Sequence, residues 1–209
     1  MATTKYFASR GEEMETDMYK KQMILQRIVC YAVLIAAALV FVYSLGIMTD
    51  MYDSKFAYYA EDIENPKVAG TQIYYEMQDF NKSFTSVGIV LILLAATQLL
   101  FQNHTRRKYY IANYITVGVN TIAAIAASVW ALNNIFTYRE KYLLVDFAAM
   151  KERAEIMGFT YTDSTFWFDI SVVVFGCLLV VTAVNVINLV LKIVLMKAEK
   201  QLIEEGKEV

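Results

Sequence analysis

The amino-acid sequence predicts an all-α membrane protein with four antiparallel transmembrane helices. It also predicts helical extensions on the outer side and both termini in the cytoplasm. Three observations lead there. The stretches 28–49, 83–103, 109–138 and 170–191 contain no Asp, Glu, Lys or Arg. Each reaches the roughly 20 residues that an α-helix needs to cross about 30 Å of hydrocarbon, and in lipid a single segment can pair all its backbone groups only as a helix. At 57% hydrophobic over 209 residues, the chain is too apolar for an ordinary soluble domain. Finally, the basic residues are distributed unevenly. The amino-terminal arm, the turn with Arg106, Arg107 and Lys108, and the tail together hold 12, against 7 in the two other connections. The positive-inside rule then places both termini and that turn in the cytoplasm.

Residues 1–21 form a cytoplasmic arm in which Glu12, Glu13, Glu15 and Asp17 mix with basic residues. This polar composition predicts an unstructured leader rather than a partner-binding segment. The first apolar stretch is too long for a signal-peptide core, so it is expected to stay as a helix. Residues 22–196 form the membrane domain, with outer helical hairpins at about 50–82 and 139–165. In the first hairpin, Met48, Tyr52, Phe56 and Tyr59 recur at helical spacing before Pro66, the only proline. Ile73, Met77, Phe80 and Phe84 recur after Gly70, and 66–70 is the natural turn. In the second, Leu143, Phe147, Met150, Ala154 and Met157 predict one helix up to Gly158, with Asp163 or Ser164 capping the next. The hairpins are expected to make a water-exposed stalk. Residues 197–209 form a cytoplasmic tail that extends the fourth helix. Trp130, Phe166, Trp167 and Phe168 are expected at the outer interface, and Tyr109 and Tyr110 at the inner one.

Shifts of 85 and 86 residues align a few pairs, such as Tyr52 with Tyr138 and Thr97 with Thr182. Such matches suggest two duplicated hairpins, although membrane helices use few residue types and produce matches by chance.

The candidate site is a set of polar residues inside the spans. Asn113, Thr116, Asn120, Ala123, Ala127 and Asn134 follow a three-and-four spacing along the third helix. Small residues let helix backbones approach, and amides hydrogen-bond across helices. Thr182, Asn185, Asn188 and Lys192 share a face of the fourth helix; Thr97 and Gln98 sit at similar depth in the second, as do Gln26 and Arg27 at the start of the first. All gather toward the cytoplasmic half, and the outer half is drier. These residues form either an interhelical polar seam or the lining of a vestibule open to the cytoplasm. Asp169 near the outer interface is expected to pair with Arg139 or Lys141.

The chemistry of common sites is missing. His104 is the only histidine, which rules out the usual zinc sets. The sequence holds neither a glycine-rich phosphate loop nor a hydrolytic constellation, and no cofactor is expected. Cys30 and Cys177, the only cysteines, both lie in apolar stretches and are expected to pack as small apolar residues. Outer-loop disulfides are thereby excluded. Four spans with both termini inside resemble the plan of tetraspanins, claudins and connexins. Those families depend on paired cysteines in the outer loops, so the likeness is one of topology only.

The expected function is that of a non-enzymatic subunit, structural or accessory, of a larger membrane assembly, for example one associated with a transporter. Exposed aromatics in the outer hairpins (Tyr58, Tyr59, Tyr74, Tyr75) motivate it. The alternatives are a homo-oligomeric channel with its pore between copies, lined by the third-helix seam, and a sensor of an outer ligand. The expected partners are the lipid bilayer and other membrane subunits or copies of the chain; nucleic acid is not expected.

Overall fold

A computed structural model describes residues 2–52, 61–102, 110–158 and 160–205, with side chains described for most of them from Lys21 to Leu195. The described chain is helical throughout, with no strand. The elements are α1 (Ala2–Tyr52), the four-residue turn α2 (Glu61–Glu64), α3 (Ile73–Gln102), α4 (Tyr110–Tyr142), α5 (Phe147–Met157) and α6 (Phe166–Glu205). Within α1, α3, α4 and α6, the segments Lys21–Met51, Ile73–Gln102, Ile111–Tyr142 and Phe166–Leu195 are long and apolar enough to cross a membrane. At about 1.5 Å per residue, each exceeds the hydrocarbon thickness and reaches into the interfaces.

The four long helices stand in a square. α1 packs on α3 and α6, and α4 packs on the same two from the opposite corner. Contacts pair the start of one span with the end of a neighbouring one. Gln26 reaches Gln102, Tyr138 reaches Glu76, and Arg139 reaches Asp169. Outside the square the faces are apolar: Ile35, Leu93, Ile122 and Val180 are all more than half exposed. A soluble bundle would carry charge there, so an apolar exterior around a partly polar interior suits lipid as the surrounding solvent.

The connections depend on two glycines. Gly70 has φ +85°, and a Cβ there would lie 2.7 Å from the Val145 Cα. This close approach lets the Asp146 N–H donate to the Ala69 carbonyl at 3.0 Å, tying the two connections together. Gly158 closes α5 in the left-handed conformation (φ +68°), and its N–H donates to the Ala154 carbonyl. The expected turn around 66–70 and the stop at Gly158 are therefore both present. Of the two candidate caps, Ser164 holds the start of α6, its Oγ accepting from the Phe166 N–H at 3.2 Å.

Several expectations are corrected. The arm expected as an unstructured leader is helical and continuous with the first span from Ala2. The single outer helix expected through 139–157 is broken. α4 stops at Tyr142, and Asp146 starts α5 anew by accepting the Ala149 N–H at 3.0 Å. The break turns Leu143 and Met157 outward and buries Tyr142, Val145, Met150 and Ala154, with Phe147 half-buried. The stripe Ile73, Met77, Phe80 and Phe84 is buried as expected. Tyr74 is core rather than exposed, and Tyr75 is half-buried. Phe168 is fully buried and belongs to the core, not to an interfacial belt. Phe56, Tyr58, Tyr59 and Tyr109 lie outside the described residues.

Candidate functional site

The interior of the square is divided between two chemistries. At one end, where Gln26, Gln102, Asn113 and Lys192 meet, it is lined by amides. At the other end it is packed with aromatic rings.

Gln98 on α3 is the hub of the polar end. It donates to Asn185 Oδ1 at 2.8 Å, and its Oε1 accepts from Asn120 Nδ2 at 2.6 Å and from Asn185 Nδ2 at 3.2 Å. Asn120 also donates to the Leu94 carbonyl at 3.1 Å. One side chain from each of α3, α4 and α6 is thus joined at one level. Nearer the end of the spans, a second layer forms. Gln22 donates to Gln26, and Gln26 to the Gln102 carbonyl. The Cys30 thiol donates to Gln102 Oε1. Turned to suit its neighbours, the Asn113 amide donates to the Phe101 carbonyl at 3.1 Å and accepts from Lys192 Nζ at 2.9 Å. Lys192 is only 6% exposed. Its ammonium is met by an amide oxygen, which lowers the cost of taking the charge out of water.

The sequence-predicted residues separate accordingly. Gln98, Asn113, Asn120, Thr182, Asn185 and Asn188 are all buried at the polar end. Thr182 Oγ1 donates back to the Leu178 carbonyl, and the Asn188 Oδ1 has no partner. Thr116 is half-buried and donates back to the Asn113 carbonyl. Asn134 does not join the cluster: it is half-buried far along α4 and donates to the Trp130 carbonyl of its own helix. Gln22, Gln26, Gln102 and Cys30 carry the second layer; the sequence places Gln26 at the depth of the polar set, while Gln22, Gln102 and Cys30 are not among the candidates. Gln22 and Gln102 lie outside or at the very end of the uncharged stretches. Cys30, expected to pack as an apolar residue, is a hydrogen-bonding member.

A cavity of about 10 Å³ adjoins the hub, lined by Asn120, Thr182 and Asn185 with Val33, Ala37, Leu91, Ala124 and Leu178. Beyond it the core changes character. Phe84 packs on Tyr43, Phe80, Trp130 and Phe175, with ring centroids 5.5–6.4 Å apart. Tyr142 continues the packing to Tyr74, Phe147 and Phe168. The phenol groups find carbonyl partners: Tyr43 donates to Trp167 at 2.7 Å and Tyr142 to Thr162 at 2.8 Å. At this rim Asp169 pairs with Arg139 at 2.8 Å and also accepts from Thr165, and Lys141 pairs with Glu76. Asn81, whose neighbours Lys82 and Ser83 complete a glycosylation triplet, is 1% exposed, so this packing leaves no room for a glycan on it.

Chemically, the polar end can hold a cation's charge among amides and exchange hydrogen bonds. Among the described residues, no three His, Cys, Asp or Glu side chains come together to hold a metal. The chain matches no protein-family model, and no curated protein or solved structure is detectably similar to it.

Proposed function

We propose that the chain is a non-enzymatic integral membrane protein serving as a structural or accessory subunit of a larger membrane assembly. In this reading the four spans are antiparallel, the aromatic end faces outward and both termini lie in the cytoplasm. The uneven distribution of basic residues supports that orientation. One observation carries the reading: the interior closes on itself. The amides at the polar end bond chiefly to one another and to neighbouring carbonyls. The opposite half is filled by Tyr43, Phe84 and Phe175, each 4% exposed or less. A conducting path needs polar groups through the full membrane thickness or a constriction that can wet, and this core provides neither within one chain.

A homo-oligomeric channel has less support. The α4 seam that would line an axis between copies turns Asn113 and Asn120 into its own bundle.

Extraction in mild detergent, followed by measurement of complex mass and of co-purifying proteins, tests the proposal. A defined foreign subunit is the expected result. A lone monomer refutes the subunit reading. A symmetric homo-oligomer that carries current in planar bilayers replaces it with the channel. Asn113→Asp and Asn185→Asp are expected to lower yield without creating cation-selective current, since a buried carboxylate without a partner is costly.

A further inference from the structure

We infer that the polar half of the bundle binds one water molecule, in a site built by Asn120, Thr182 and Asn185. The inference is independent of the subunit reading. It rests on the cavity beside Gln98 and on the hydrogen-bonding capacity that its walls retain.

The cavity measures about 10 Å³, close to the smallest volume, roughly 10–15 Å³, that admits a single water. Nothing larger fits. Its three polar walls define the occupant by elimination. An asparagine amide has two N–H donors and one carbonyl oxygen, and a threonine hydroxyl has one donor and two lone pairs. Asn120 uses both protons, one on Gln98 Oε1 and one on the Leu94 carbonyl, so its Oδ1 remains as an acceptor. Thr182 gives its only proton to the Leu178 carbonyl, so its lone pairs remain. Asn185 gives one Nδ2 proton to Gln98 Oε1 while its Oδ1 accepts from Gln98 Nε2, so one proton remains. The three polar residues that line the cavity thus keep two unused acceptors and one unused donor among them. An anion needs donors only, and a cation needs acceptors only. Water donates twice and accepts at least once, and buried waters typically make about three hydrogen bonds.

A second observation points the same way. About one turn along α6 toward Lys192, the Asn188 Oδ1 is buried without a partner. This further demand for a donor lies between the cavity and the polar end. Exchange of the water is expected toward that end, away from Phe84 and Phe175.

The test is magnetisation transfer from water in NMR spectra of the full-length chain in lipid nanodiscs, with side-chain amides labelled. Transfer to the Asn185 and Asn120 amides is expected, with none to the backbone amides of Phe84 and Phe175. Ala124→Leu fills the cavity and is expected to abolish the transfer. Thr182→Val removes one acceptor with little change of shape and is expected to weaken it; this variant decides the matter if the leucine variant does not fold. Absence of transfer in the parent protein overturns the site. So does unchanged transfer in either folded variant.

Discussion

The two ends of the bundle are the same square of helices stabilised in different ways. At the polar end, Gln98 ties α3 to α4 and α6 through directed hydrogen bonds. At the aromatic end, Phe84 is fully buried among rings from α1, α3, α4 and α6. Lipid tails are as apolar as leucine, so burial from water cannot by itself hold helices together inside a membrane. What remains is shape and hydrogen bonding, and this chain places each at a different end. A bulky interlocked core resists deformation, whereas an amide network specifies which helix faces meet.

The contrast can be broken or sharpened by substitution, measured throughout as reversible unfolding in mixed micelles. The largest loss is expected at the aromatic end: Phe84→Ala leaves a cavity at the centre of the ring cluster and should cost about 3–5 kcal/mol. Phe147→Ala should cost less, because Phe147 is only half-buried. A loss at Phe84 no greater than at Phe147 would remove the aromatic end as the rigid half.

Gly70→Ala comes next. A side chain there has to adopt φ +85° and meets the Val145 Cα at 2.7 Å and the Leu144 carbonyl oxygen at 2.8 Å. Backbone strain and overpacking together should cost about 2–4 kcal/mol. Full stability in the alanine variant would mean that the two connections do not need their close contact.

The polar end should respond more weakly. Gln98→Leu removes the hub, and Asn120→Leu one spoke; each should cost roughly 1–2 kcal/mol at most, because the unfolded chain in a membrane also finds partners. Asn134→Ala, which loses only a bond to its own helix, is expected to change little. A larger effect at Asn134 than at Gln98 would reverse the assignment of the seam. The smallest effect is expected for Arg139→Ala, since its exposed pairing with Asp169 is screened by solvent, and the effect should fade further in high salt.

The four spans were legible because charge-free stretches of that length have no other stable form in lipid. Six of the eight candidate polar residues lie buried, and three-and-four spacing keeps those of α4 and those of α6 on one helical face each. Asn134 left the seam for a reason of period. A straight helix drifts by about 20° per heptad, so three heptads from Asn113 rotate it by roughly 60°. The break at 143–146 was not legible: neither proline nor glycine marks it in the sequence. Its causes are the Asp146 cap and the contact of Val145 with Gly70, a residue more than seventy positions earlier. Of the second polar layer, Gln26 was legible by its depth, whereas Gln22 and Gln102 lie at span ends, where polar residues are expected in any membrane helix. A composition-based reading also treats Cys30 as one more apolar residue.

The pattern of bonds around Asn120 bears on how the chain is made. Both Asn120 protons go to α3, to Gln98 and Leu94, a helix already synthesised when α4 leaves the ribosome. Nothing on α6 is needed to satisfy them. The α3–α4 hairpin can therefore satisfy the Asn120 amide protons before α6 is made. The Gln98 Nε2 group has no acceptor on α3 or α4 among the described bonds, and Asn185 on the last span accepts one of its two protons. Chains arrested before Phe166 should show α3 and α4 already crosslinkable to each other. An order of assembly set by which helix supplies each acceptor would then be written into the polar half of the core.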